Sequence, residues 1–157
     1  MTYDGWTYAW EEGRQLKSIS GNGKNLSFKY NDEGIRTEKT VDGVTTKYRL
    51  VGDKVTYESN GTDNIYYSYD GFGRQSKRDT PDAGLTDFYY DKNNNLIYSQ
   101  DRKQKTTTSN KFAYRSYDGL NRITGIGETI MQSTDPNDGI QFQPSTQDEY
   151  LTVNVYD

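Results

Sequence analysis

A short phrase, Tyr-Asp-x-x-Gly commonly followed by Arg, returns along this chain and restricts its folding more than any other property. Its fullest form is Tyr69-Asp70-Gly71-Phe72-Gly73-Arg74. Looser copies stand at Tyr30-Asn31-Asp32-Glu33-Gly34 with Arg36, at Tyr90-Asp91-Lys92-Asn93-Asn94 and at Tyr117-Asp118-Gly119-Leu120-Asn121-Arg122. A recurring phrase makes each copy one supersecondary unit that buries its surfaces against its neighbours. The spelling is that of a turn. Asp or Asn in first place accepts from the backbone that follows, and Gly three residues on takes the positive φ that closes a type I turn with a bulge. Each copy therefore reads as a hairpin tip in which Tyr anchors the entering strand.

A second turn series alternates with the first: Gly21-Asn22-Gly23, Val41-Asp42-Gly43-Val44, Asn60-Gly61 and Pro81-Asp82-Ala83-Gly84. The aromatics that enter the tips, Trp10, Tyr30, Tyr48, Tyr69 and Tyr90, are 20, 18, 21 and 21 residues apart. Half of that period is one strand plus one turn, the spacing of an antiparallel meander. Alternation within the intervening segments agrees: Leu26, Phe28, Tyr30; Val44, Thr46, Tyr48, Leu50; Ile65, Tyr67, Tyr69; and Leu151, Val153, Val155 share one parity, opposite mostly Ser, Lys, Arg, Asn and Thr. No segment carries a helical period. The expected fold is all-β, a twisted, spiralling meander of antiparallel hairpin repeats over 1–157 as a single array. Polar interruptions fall at about 102–110 and 131–149, the latter expected to be the most mobile.

Leu, Ile, Val and Phe supply 26 of 157 residues, a share low enough to raise disorder as an alternative. A net charge of −4 and 15 Tyr with 2 Trp argue against it, because those rings replace the missing aliphatic surface. Rings with a polar tip suit a thin, half-wet sheet rather than a thick core.

The chain has no Cys and no His, which excludes disulfides, thiolate or imidazole metal sites and nucleophilic catalysis based on either residue. Adjacent acids such as Glu11-Glu12 and Asp148-Glu149 point to opposite faces of a strand and do not share a substrate. No phosphate-binding glycine loop or nucleophile elbow is present, so the chain is not expected to be an enzyme. Asp91-Lys92-Asn93-Asn94-Asn95 opens like a calcium loop, but Leu96 stands where Gly is required and Arg102 where the closing Glu belongs. Neither metal nor other cofactor is expected. The acidic balance disfavours nucleic acid, and no apolar run approaches the length of a membrane span. The opening Met1 to Trp6 carries neither the basic region nor the apolar run of a signal peptide, so no targeting signal is expected in this chain.

Among the repeated polar residues, Asp70, Asp91 and Asp118 are read as turn caps. Arg74 and Arg122 are read as covers for sheet aromatics. Trp6, Tyr8 and Trp10 share one strand face. They could form an aromatic platform for sugar rings, although packing against the next hairpin is the reading favoured by their spacing.

The tips, the period of about 20 residues and the phrases Trp10-Glu11-Glu12-Gly13-Arg14-Gln15-Leu16, Tyr30 to Thr37 and Tyr69 to Arg74 resemble the YD-repeat, or Rhs-repeat, proteins of bacteria and the related teneurin shell of animals. The resemblance runs over nearly the whole chain apart from Met131 to Glu149. It implies a strip of hairpins that belongs to a hollow shell enclosing or presenting a toxin or adhesin, in a secreted or cell-surface parent protein. It also implies neighbouring repeats of a longer shell as partners, while the exposed edges of a short open strip lead to the expectation of further copies joined through edge strands. One such pairing would be Leu151 to Tyr156 against an N-terminal strand. Carbohydrate is the alternative partner. Spelling of the repeats changes near Tyr67, as in a natural mosaic or an artificial sequence, and Tyr156-Asp157 opens a further copy, as in a piece of a longer array. Asp135-Pro136-Asn137-Asp138-Gly139 departs from the paired Asp-Pro-x-Gly motifs with which some relatives cut themselves, so self-cleavage is not expected.

Overall fold

A computed structural model describes residues 2–106 and 110–130 in full, and the backbone of 149–153. The segment 131–148 and residues 154–157 lie outside the described residues, as does the expectation of mobility placed on the former. Among the described residues every regular element is a β-strand, and each pairs antiparallel with its sequence neighbour within its unit. The chain divides into two compact units, Met1–Tyr67 and Ser68–Asp157, where the sequence leads to one continuous array. Their boundary coincides with the change in repeat spelling near Tyr67.

The first unit is built from β1 (Thr2–Tyr3), β2 (Trp6–Glu11), β3 (Gln15–Gly21), β4 (Lys24–Tyr30), β5 (Arg36–Val41), β6 (Val44–Val51), β7 (Lys54–Ser59) and most of β8 (Asn64–Tyr69). Cross-strand partners run Tyr8, Ile19, Leu26, Val41, Val44 along one face, with Phe28 beside them. The opposite face is polar. Ser18, Ser27, Thr40 and Thr45 form one row, in which the Thr40 and Thr45 hydroxyls meet at 2.8 Å, and Lys29, Glu38, Lys47, Ser59 and Asn64 form another.

The second unit contains β9 (Gln75–Thr80), β10 (Gly84–Tyr90), β11 (Leu96–Gln100), β12 (Lys111–Tyr117), β13 (Ile123–Ile130) and β14 (Glu149–Val153). Its core lies across β10 to β12. Tyr98, Phe112 and Tyr114 are buried together, with Tyr89 and Ile97 against them, and Phe112 meets the edge of the Tyr98 ring at 6.3 Å. The same face carries buried polar groups, Asp87, Gln100 and Thr129. Asp87 is matched by Lys77 Nζ at 2.6 Å, and the Gln100 amide donates to Asn110 Oδ1 and the Lys111 carbonyl. Such partners are what makes their burial tolerable. The C-terminal strand β14 pairs with β13, placing Val153 opposite Gly125 and Glu149 opposite Glu128. That is where the structure puts the described part of the strand whose sequence suggested pairing with an N-terminal strand.

Bulges are placed asymmetrically. In the hairpins β2–β3, β4–β5, β6–β7, β10–β11 and β12–β13 the register slips by one, leaving Lys17, Thr37, Thr56, Ile97 and Thr124 as the extra residues. All five follow the tip series of turns. Hairpins closed by the second series, β3–β4, β5–β6 and β9–β10, run without a slip. One further slip lies between β13 and β14. A bulge bends its strand and increases the local right-handed twist, so in each unit the added twist falls beside the tips.

The second series closes as its spelling dictates. Asn22-Gly23 and Asp42-Gly43 are two-residue turns with both φ values positive (49° and 74°; 48° and 91°), the conformation that follows the twist of the flanking strands. The described part of the loop near 102–110 is held by its own polar groups. Asp101 Oδ1 accepts from the Lys103 and Gln104 amides, and Lys105 bridges Asn110.

Candidate functional site

The repeated phrase gives the molecule its most organised polar structure, and four copies share one geometry. In the Tyr69 copy the Asp70 amide donates to the Arg74 carbonyl at 2.8 Å and the Gly73 amide to the Asp70 carbonyl at 2.9 Å. Asp70 Oδ1 then accepts from the Phe72 and Arg74 amides at 2.9 and 3.0 Å. Asp118 does the same for Leu120 and Arg122, Asp91 for Asn93 and Asn95, and Asn31 for Glu33 and Ile35. The fourth position has positive φ in every copy: 78° at Gly34, 77° at Gly73, 67° at Asn94 and 59° at Asn121. Asn tolerates that region better than other side chains, and it brings an amide that Gly lacks.

The second carboxylate oxygen is also engaged. Arg74 Nε donates to Asp70 Oδ2 at 2.6 Å, Arg122 Nε to Asp118 Oδ2 at 2.7 Å, and the Asn95 side-chain amide to Asp91 Oδ2 at 3.0 Å. Burial alone would raise the Asp70 carboxyl, but the Arg74 and Phe72 amides and the Arg74 guanidinium outweigh it and hold the group below the ordinary carboxylate value. For Asp118 the Arg122 amide is the foremost cause of the same downward shift. An oxygen pair already accepting three donors has little left for a metal or a substrate proton.

Neighbouring tips are tied to one another. The Arg74 guanidinium reaches the Asp91 carbonyl at 3.2 Å and Asn94 Oδ1 at 3.0 Å, while Asn95 donates to Asn121 Oδ1 at 2.8 Å. Arg74 also lies over two rings, Tyr90 at 4.7 Å and Phe72 at 5.0 Å. The tyrosines add a second set of ties. Tyr90 donates its hydroxyl to the Gln75 carbonyl at 2.9 Å, Tyr117 to Leu96 at 2.9 Å and Tyr30 to Leu16 at 3.0 Å. Each acceptor is at the start of the strand that leaves the preceding tip.

Two copies that lack an Asx residue in first place close differently. After Trp10, Glu12 and Gly13 both take positive φ (47° and 75°), and the Arg14 amide reaches the Glu11 carbonyl at 3.3 Å. After Tyr48, the chain turns through Gly52-Asp53 between the paired Val51 and Lys54. Trp6, Tyr8 and Trp10 do alternate along β2, but they are not equally available. Trp10 is 53% exposed, whereas Trp6 is half-buried against Gly21, where a Cβ would come within 3.0 Å of the indole.

A cavity of about 390 Å³ beside the Asp70 tip is lined by Arg74, Lys77, Asp87 and Tyr90 among others. Its charged groups are already matched, Asp70 with Arg74 and Asp87 with Lys77 at 2.6 Å and Lys105 at 3.7 Å. Among the described residues no three His, Cys, Asp or Glu side chains gather as a metal site would require, and no helix is long and apolar enough to cross a membrane.

Sequence reasoning placed a bulge at each tip but missed three features: which strand residues the bulges leave over, the buried polar group around Asp87 and Gln100, and a second aromatic cluster in the first unit. There Tyr57 and Tyr66 face each other on the polar side with ring centroids 5.0 Å apart, and the Arg49 guanidinium lies over Tyr57 at 5.3 Å. The signal was present, since Arg49, Tyr57 and Tyr66 are direct cross-strand partners, but it requires the bulged register to be known.

Comparison with known proteins finds no matching family model. The chain is similar to the tRNA nuclease WapA of Bacillus subtilis strain 168, with 27% identity over 163 residues, covering 99% of this chain and 7% of that protein. The tRNA3(Ser)-specific nuclease WapA of Bacillus spizizenii matches at the same identity and coverage. Among solved structures, the Tc holotoxin pore of Photorhabdus luminescens overlaps 80% of this chain and 9% of its own, with 11% identity and a TM-score of 0.46. The chain thus spans about 7% of the length of the curated relatives it matches, and lies within the described hairpin pattern for most of its length.

Proposed function

We propose that this chain is a non-catalytic structural module: a stretch of YD-repeat shell wall that helps to enclose or present a toxin or adhesin in a secreted or cell-surface protein. The observation that carries this reading is the use made of the recurrent charged residues. Asp70, Asp91 and Asp118 each spend both oxygens on their own tip, and Arg74 joins its tip to the next. Commitment of the recurrent acids to their own turns supports a wall role for them rather than acid–base chemistry. Similarity to proteins named as tRNA nucleases supports a toxin context. The matched segment is a small part of those proteins, so their nuclease activity is not assigned to this chain.

The test is direct. Purified chain incubated with tRNA and magnesium is expected to leave the RNA intact, while Asp70→Asn and Asp118→Asn lower the thermal midpoint. Cleavage of tRNA abolished by either substitution would reverse the assignment. As a wall segment the chain is also expected to associate through edge strands at high concentration. A strictly monomeric sedimentation profile counts against that part.

A second reading, adhesion through the aromatic face of β2, rests on the exposure of Trp10. Reproducible glycan-array binding lost in Trp10→Ala would support it.

A further inference from the structure

A cavity of the second unit opens where two strands stop pairing. The ladder between β11 and β12 runs through Ser99–Ala113 and Tyr98–Tyr114, and beyond it, toward the tips, the Tyr117 hydroxyl holds the Leu96 carbonyl at 2.9 Å. Ile97, the extra residue of the β10–β11 bulge, stands between those two links, so the backbone is irregular where the ladder lapses. The space left has a volume of about 240 Å³ and is lined by Asp91, Ile97, Tyr98, Arg115 and Tyr117 among others.

Several polar groups of this lining are already spent. Asp91 gives Oδ1 to the Asn93 and Asn95 amides and Oδ2 to the Asn95 side chain, and Ser116 Oγ accepts from Thr124 at 3.1 Å. Arg115 is different. Its Nη1 is buried and has no hydrogen-bond partner, and among the described residues its guanidinium enters no ion pair, whereas Arg74 and Arg122 each hold the Asp of their own tip. A buried cationic donor without an acceptor is costly, so the atom marks a place where an acceptor belongs. Both charges of the lining reach the Tyr117 phenol: burial raises it above its ordinary value, Arg115 pulls it down and Asp91 pushes it up. One negative charge beside one positive charge disfavours a doubly charged phosphate and suits a single negative charge. The Ile97 side chain and the buried rings of Tyr98 and Tyr114 suit an apolar stem, and a volume below that of drug-sized pockets keeps the stem to a few carbons.

We propose that this cavity binds a monocarboxylate carried on a short apolar stem, with Arg115 Nη1 donating to the carboxylate and Ile97 and Tyr98 against the stem. A glutamyl side chain of a polypeptide and a free short-chain acid present this same group. The site lies in the second unit, apart from Trp6, Tyr8 and Trp10, and it stands or falls independently of the shell reading.

Titration of the full chain with sodium butyrate and, separately, with N-acetylglutamate α-amide, followed by amide NMR shifts, is expected to show saturable binding of at least one of the two that perturbs the Ile97, Arg115 and Ser116 amides. Binding of the glutamyl compound with little response to butyrate identifies a polypeptide side chain as the source of the carboxylate, and the reverse identifies a free acid. Arg115→Gln is expected to weaken binding by about tenfold or more, Arg115→Lys by a smaller factor because it keeps the charge and loses the planar fork, and Arg78→Gln, at a guanidinium laid over Phe88, to leave it unchanged. The neutral glutamine analogue and inorganic phosphate are each expected to bind at least about tenfold more weakly than the better acid. The proposal is overturned by non-saturable shifts with both acids, which would leave the buried nitrogen to water, by binding that survives Arg115→Gln in a chain shown by thermal melting to be folded, or by phosphate or the glutamine analogue binding as tightly as the acids.

Discussion

The two units use the same hairpin device with different side-chain loads. In the first, most apolar residues keep to one face, the other being a ladder of Ser, Thr and charges broken by the Tyr57–Tyr66 pair, and Phe28 at 8% exposure is its most buried ring. In the second, rings occupy both faces of β10 to β12: Phe88 and Tyr90 on one, Tyr89, Tyr98, Phe112 and Tyr114 on the other. Turn chemistry thus sets the path of the chain, while the distribution of rings sets how firmly each stretch is held. A repeat can keep its shape with a modest core so long as its tips are tied.

The comparison is broken most severely by removing a ring from the denser unit. Phe112→Ala, at 3% exposure, is expected to cost about 3–5 kcal/mol. Phe28→Ala is expected to fall toward the low end, about 3 kcal/mol, since Phe28 retains some solvent contact and a guanidinium at 4.5 Å. Denaturant unfolding followed by hydrogen exchange in each unit measures both. Equal costs would mean that ring burial does not distinguish the units.

A smaller effect tests the ties rather than the core. Tyr90→Phe keeps the ring and removes the hydroxyl that reaches the Gln75 carbonyl, and is expected to cost about 1 kcal/mol. Tyr30→Phe should cost a similar amount in the first unit, where the bond to Leu16 is 3.0 Å. A neutral result for both in chemical denaturation would make the hydroxyls incidental.

Acid gives the smallest and most selective effect. Asp70 and Asp118 have carboxyls held below their ordinary value, so the stabilisation they give is complete above the unfolded value, about pH 4, and is lost as pH falls through the lower folded value. The equivalent cap in the first unit is Asn31, which does not titrate. Below pH 4, exchange of the Phe72 and Leu120 amides should therefore accelerate while that of Glu33 and Ile35 stays level. Simultaneous loosening of all these tips would refute a carboxylate-specific cause.

How much of this was legible in the sequence follows from the same physics. Tips announce themselves because a cap and a positive φ each restrict residue choice, so Asp70, Asp118 and Gly73 could be read directly. Asp42-Gly43 was legible for the same reason. The extra residues of the bulges, Lys17, Thr37, Thr56, Ile97 and Thr124, share no chemical type, because a bulge asks for a backbone position and not a side chain. With those slips hidden, the rows that cross several strands were hidden too. Ring parity in β11 and β12, and the Arg49–Tyr57–Tyr66 row, emerge from the slipped register, whereas the alternation within β4, β6 and β8 stands on single strands.

The tyrosine ties bear on how such a chain can vary. Tyr30 reaches back 14 residues, Tyr90 reaches back 15, and Tyr117 reaches back 21 across the 101–110 loop, yet the bond is made at 2.9–3.0 Å each time. What the hydroxyl measures is the distance between successive tips through space, and it is indifferent to the length of chain that makes the return journey. One margin of each hairpin series is therefore fixed in register, and the other is open to insertion. Loops, and whatever chemistry they bring, can be lengthened there without the tips losing count.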